Sequence, residues 1–169
     1  MSGVDLARRG LLTGRSRRQL APPRPPWLDE ARLADGCTRC GACANACPDG
    51  LITAGDAGFP IIDFANGGCS LCGACADACP HHLFARDRVP FARRAAVGAG
   101  CLATAGVFCM SCADSCDSRA IRFPPRLGRP PQPMIDADCC NGCGACVSVC
   151  PAGAITMELP CPTSTTFPA

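Results

Sequence analysis

Apolar residues in this chain come in short bursts, with no long periodic run. Phe59-Pro60-Ile61-Ile62-Asp63-Phe64 predicts a short strand. Leu51-Ile52 and Leu83-Phe84 each follow a small turn, at Pro48-Asp49-Gly50 and Pro80-His81-His82, and predict strands that close a hairpin. The pattern then repeats. Pro133-Met134-Ile135-Asp136 echoes Pro60-Ile61-Ile62-Asp63, while Ala120-Ile121 and Ala154-Ile155 echo Leu51-Ile52. Residues 86–98 are basic and alanine-rich and predict a connecting helix. Pro22-Pro23-Arg24-Pro25-Pro26-Trp27 reads as an extended, polyproline-like linker, with Trp27 placed to anchor it onto the body, the favoured reading, or onto a partner. No apolar stretch is long enough to span a membrane.

These elements divide the chain into a basic, proline-rich arm (1–30), a first half (31–88), a second half (89–159) and a tail (160–169). Within the halves the most regular feature is cysteine. Cys140, Cys143, Cys146 and Cys150, followed by Pro151, form C-x2-C-x2-C-x3-C-P, the bacterial ligand run for 4Fe–4S clusters. The phrase recurs at Cys37, Cys40, Cys43, Cys47, Pro48 and at Cys69, Cys72, Cys75, Cys79, Pro80. Cys101, Cys109, Cys112 and Cys116 form a looser C-x7-C-x2-C-x3-C without the proline. Its Cys116-Asp-Ser-Arg-Ala-Ile aligns with Cys150-Pro-Ala-Gly-Ala-Ile, which assigns Cys116 to the fourth-ligand place. Sixteen of the eighteen cysteines fall into these groups; Cys139 and Cys161 stand outside. Two-residue gaps let a loop set three soft thiolates on three corners of one cubane, and Gly41, Gly73 and Gly144 ease the curl.

In two-cluster ferredoxins the fourth cysteine ligates the partner cluster. Under that crossing Cys37, Cys40, Cys43 join Cys79, and Cys69, Cys72, Cys75 join Cys47. In the second half Cys101, Cys109, Cys112 join Cys150, and Cys140, Cys143, Cys146 join Cys116. The expected architecture is α+β, a tandem bacterial-type ferredoxin with short hairpins and short helices wrapped around the clusters in two dicluster halves. There are three regular motifs and a fourth, irregular one.

Composition sharpens this. Aromatic residues make up 5% of 169 residues, Tyr is absent, and Gly and Pro fill 35 positions. Such a chain has little core material, so inorganic staples carry part of its stability. A disulfide framework suits secreted chains, and the triplets are spaced for a cubane instead. Structural zinc takes separated C-x2-C pairs, without a third cysteine at the same interval. His81 and His82 are read as structural or solvent-facing, since four thiolates complete each cubane.

Lys is absent, and all sixteen basic residues are Arg, in a chain of net charge +2. They crowd residues 1–30 and 86–129, which reads either as solubility or as a surface for an acidic protein partner. No aromatic interleaving points to nucleic acid. Without a phosphate loop or a nucleophile constellation, the chain is read as a non-enzyme.

The arginine start Arg8-Arg9-Gly10-Leu11-Leu12-Thr13-Gly14, the Arg24-Pro25-Pro26-Trp27 linker, Cys37-Thr38-Arg39-Cys40, the Cys101-x7-Cys109 group and the Cys140–Cys146 phrase together resemble the NapF family. These are ferredoxin-type accessory proteins of the periplasmic nitrate reductase system. The start looks like a twin-arginine motif, but Gly14-Arg15-Ser16-Arg17-Arg18-Gln19 breaks the apolar run that export requires, so the chain is expected in the cytoplasm. The resemblance implies a protein that assists cluster loading or redox activation of the nitrate reductase catalytic subunit before export. The expected partner is that subunit's cytoplasmic precursor. The alternatives are a general polyferredoxin electron carrier, and an interaction protein whose clusters are only structural.

Overall fold

A computed structural model describes residues 22–159. The twin-arginine start and Cys161 therefore lie outside the described residues. The fold is a tandem ferredoxin-type α+β arrangement of small helices and short antiparallel strands. Its regular elements are α1 (Glu30–Gly36), α2 (Ala42–Asn45), β1 (Ile52–Ala54), β2 (Pro60–Ile62) and α3 (Ala74–Asp77), then β3 (Arg94–Val97), α4 (Ser111–Asp114), β4 (Ile121–Arg122), β5 (Met134–Ile135), α5 (Ala145–Ser148) and β6 (Ile155–Glu158).

Each half follows the same plan. β1 pairs with β2, Ile52 opposite Ile62; β4 pairs with β5, Ile121 opposite Ile135. The strands within Phe59–Phe64 and at Met134–Ile135 thus stand where the apolar bursts put them. The last segment of each half returns to pair with the residues that precede its first cysteine. In the second half this is the β3–β6 ladder, Arg94 opposite Glu158 through Val97 opposite Ile155. In the first half the pairing shrinks to one bridge, Leu28 to Phe84, so Leu83-Phe84 is no regular strand.

The connecting helix expected over 86–98 does not form, and β3 occupies its C-terminal part. Alanine's helix preference is worth less than about 1 kcal/mol per residue. The ladder that closes the second half outweighs it, and Pro90 has no amide to continue a helix. Trp27 and Pro90 are also tied together, the Trp27 amide donating to the Pro90 carbonyl at 2.8 Å.

The segment expected as a linker is docked. Pro25 and Pro26 are buried. The Ile62 amide donates to the Pro23 carbonyl at 2.8 Å, and the Arg24 guanidinium donates to the Pro60 carbonyl at 3.0 Å. Trp27 lies on the body as expected, its carbonyl accepting from the Ala85 amide and its ring 5.7 Å from the Arg86 guanidinium carbon. Sequence reading did not anticipate α1, which Asp29 caps by accepting from the Ala31 amide at 3.1 Å.

Two small cores result. One gathers Leu51, Ile62, Phe64 and Phe91; the other gathers Ala95, Ile121, Cys146 and Ile155. Val147 and Met157 pack against both, so the cores are continuous. Phe64 and Phe91 meet edge to face at 5.9 Å across the boundary between the halves. No helix of the described residues is long and apolar enough to cross a membrane.

Candidate metal centres

In each repeat a one-turn helix carries the third cysteine: Cys43 on α2, Cys75 on α3, Cys112 on α4 and Cys146 on α5. The fourth cysteine follows just beyond the helix, and then the chain makes a left-handed turn. Gly50 (φ 63), His82 (φ 47), Arg119 (φ 52) and Gly153 (φ 56) each stand three residues after their fourth cysteine. In each case that residue's amide donates to the cysteine's carbonyl, at 2.9 to 3.3 Å. The irregular third repeat, which has Asp117 in place of proline, makes the same turn. Cys116 therefore stands before the same turn as Cys47, Cys79 and Cys150.

The front of the third loop differs. Gly41, Gly73 and Gly144 follow the second cysteines of the regular motifs with φ of 75, 83 and 77, a conformation that side chains disfavour. A Cβ at Gly41 would meet nothing within 4 Å, so there the requirement is conformational and not relief of crowding between protein atoms. The third loop has no such curl; Met110, its counterpart, has φ −131. Instead residues 101–107 wind into a compact turn, with Ala105 donating to Cys101 at 3.0 Å, Val107 to Leu102 at 2.9 Å, and Ala103 buried beneath. This turn absorbs the extra residues and brings Cys101 to the place a two-residue gap supplies elsewhere.

The cysteines gather across the repeats. One concavity is lined by Cys37, Cys40, Cys43 and Cys79. A second is lined by Cys47, Cys69, Cys72 and Cys75. A third is lined by Cys101, Cys109, Cys112 and Cys150. The remaining four lie close together: Cys143 and Cys146 are each pushed up by burial first, and then by the nearby Cys116 and Cys140. These four groups coincide with the crossed sets. Among the described residues no three such side chains converge on a single metal-ion position. A cubane asks for a wider cage, one thiolate on each of four irons.

Burial sets the electrostatics. It pushes the Cys75 and Cys112 thiols up to about 11 and Cys146 up to about 12. Uncompensated thiolates are disfavoured there, and a bound cluster would supply the compensating positive charge in the proton's place. Cys40 moves the other way, held down by the Ala42 amide and then the Thr38 hydroxyl. At Cys116 burial raises the thiol, but the Ser118 hydroxyl at 3.5 Å and the Ile121 and Ala120 amides lower it more. The Ala154 amide donates to Cys150 Sγ at 3.3 Å. Hydrogen bonds to cluster sulfurs are a principal means of setting potential.

Sequence reading missed the supports behind the thiols. Asp49 accepts from the Ser70 amide and hydroxyl, at 3.3 and 2.8 Å, tying the first fourth-ligand turn to the second loop. Arg86 lies over Gly73, donates to the Cys72 carbonyl at 3.3 Å and pairs with Asp77 at 3.0 Å. Only folding brings these partners together, so spacing along the chain carried no signal of them. His81 and His82 are exposed; His81 Nε2 shares a 3.0 Å hydrogen bond with the Thr38 hydroxyl. Cys139 is exposed and its thiol donates to the Asp136 carboxylate at 3.3 Å, outside every set.

Comparison with known proteins agrees with this picture. The family model described as a 4Fe–4S dicluster domain matches twice, at residues 36–83 and 107–154. The second match starts after Cys101, the cysteine that departs from the regular spacing. Ferredoxin-type protein NapF of Escherichia coli (strain K12) is 45% identical over 157 residues, covering 92% of this chain and 96% of that protein. Ferredoxin-type protein NapF of Haemophilus influenzae is 46% identical over 137 residues, 80% of this chain and 78% of its own. A subunit of the ion-translocating oxidoreductase complex of Methanosarcina acetivorans is 38% identical over 134 residues, 73% of this chain and 47% of that protein.

Proposed function

We propose a function from one premise: the chain belongs to the NapF family of ferredoxin-type proteins and carries two 4Fe–4S dicluster domains. In this reading the sixteen motif cysteines hold four cubanes, each with three ligands from one motif and the fourth from the partner motif. The protein acts in the cytoplasm on the precursor of the periplasmic nitrate reductase catalytic subunit, before export, in cluster loading or redox activation. It is an accessory protein and not an enzyme.

The observation that carries the reading is the gathering of these cysteines into four sets of four. Bound clusters of this kind accept and pass single electrons. The chain's own groups do the rest. Thr38, Ser118 and the Ala154 amide hydrogen-bond sulfurs, while Arg86 and Asp49 hold the loops that present them. Exposed arginines such as Arg119 and Arg129 supply positive charge for an acidic partner.

Anaerobically prepared protein should contain about sixteen irons per chain if all four sets load. It should co-purify with the nitrate reductase precursor but not with the exported enzyme. Co-purification with neither, alongside a reversible EPR change on dithionite addition, would replace the accessory role with that of a general electron carrier. The likeness to a component of an ion-translocating oxidoreductase complex favours that second reading.

A further inference from the structure

Two dicluster units in one chain can work as separate pairs or as one line, and the contacts between the halves distinguish these. The Cys69 amide donates to the Cys143 carbonyl at 2.8 Å. Among the backbone hydrogen bonds of the described residues, no other joins a cysteine of one half to a cysteine of the other. The seam around it is tight. A Cβ on Gly68 would stand 2.5 to 2.7 Å from the Cβ, Cα and N of Ala145, closer than atoms can pack. Each of the two adjoining sets also holds a buried cysteine, Cys75 in one and Cys146 in the other, the two buried cysteines of the described residues.

Within each half the sets also adjoin. The helix that carries Cys43, α2, packs against the Cys75 helix α3, and the Cys112 helix α4 packs against the Cys146 helix α5. We infer that the Cys69–Cys143 hydrogen bond joins the four ligand sets into a single line for electrons. Its order is the Cys37 set, the Cys69 set, the Cys140 set and the Cys101 set. The inference rests on the proposed cubane ligation. With clusters bound, each junction would pass one electron, the donor cluster being oxidised as the acceptor is reduced, with no bond made or broken.

The test uses the full-length protein, loaded anaerobically, assayed for iron and reduced with dithionite. Pulsed EPR then measures separations between the reduced clusters. One separation between the halves should be as short as those within each half. Gly68→Ala, which keeps every cysteine, should lose that short separation while its iron content stays at the wild-type value. Wild-type protein with about sixteen irons but two isolated pairs would overturn the line and leave the ligand sets standing. Protein that takes up no iron would overturn the ligand sets themselves. The wild-type distances decide the matter even if Gly68→Ala loads poorly.

Discussion

Cys101 and Cys139 both fall outside the regular spacing, and they have opposite fates. Cys101 faces Cys109, Cys112 and Cys150 because the turn over 101–107 folds back on itself. Cys139 is held outward by Asp136. Cys101→Ser should therefore lower the iron content by about four atoms per chain, whereas Cys139→Ser should leave it unchanged. Cys116→Ser should also remove about four, since its set keeps only three thiolates. Iron analysis with acid-labile sulfide reads all three, and equal loading of Cys116→Ser and wild type would strike the third motif from the ligands. The regular motifs could be read residue by residue because their spacing is local. The place of Cys101 could not, since C-x7-C does not say how seven residues are taken up.

Among the elements, the β3–β6 ladder closes the second half over its ligand sets. Ile155 lies in this ladder opposite Val97, is 6% exposed, and packs with Ala95, Ile121 and Cys146. Ile155→Ala should destabilise the loaded protein by about 2–5 kcal/mol, through lost burial and the cavity left behind. Thermal unfolding followed by cluster absorbance should show it as a lowered midpoint; an unchanged midpoint would mean the ladder does not hold this half closed. The short strands were readable from paired apolar residues, Ile61-Ile62 and Met134-Ile135. β3 was not. Arg93-Arg94-Ala95-Ala96-Val97 has a helical composition, and its conformation is imposed by β6, at the far end of the second half. Leu28 is a parallel case, a single residue of the arm that completes the first half by bridging to Phe84.

For the whole molecule, the two apolar cores are small, and cysteine side chains form part of both. With so little else to bury, the chain's stability depends on ligand–metal bonds that exist only in the folded state. Anaerobic iron chelation should abolish the native circular dichroism spectrum in step with the loss of visible absorbance. A spectrum that survives chelation would show that the protein scaffold stands without its metals.

What the sequence determined by itself was the chemistry: sixteen thiols, their grouping by motif, the internal repeat and the kind of cluster they suit. All of these are properties of residues a few positions apart. The tertiary structure decided which thiols share a set in space, how the arm docks, and that the Cys69 and Cys143 loops of separate halves are hydrogen-bonded. Those outcomes depend on contacts between segments distant along the chain, of the same kind that pack Phe64, Phe91, Val147 and Met157 together.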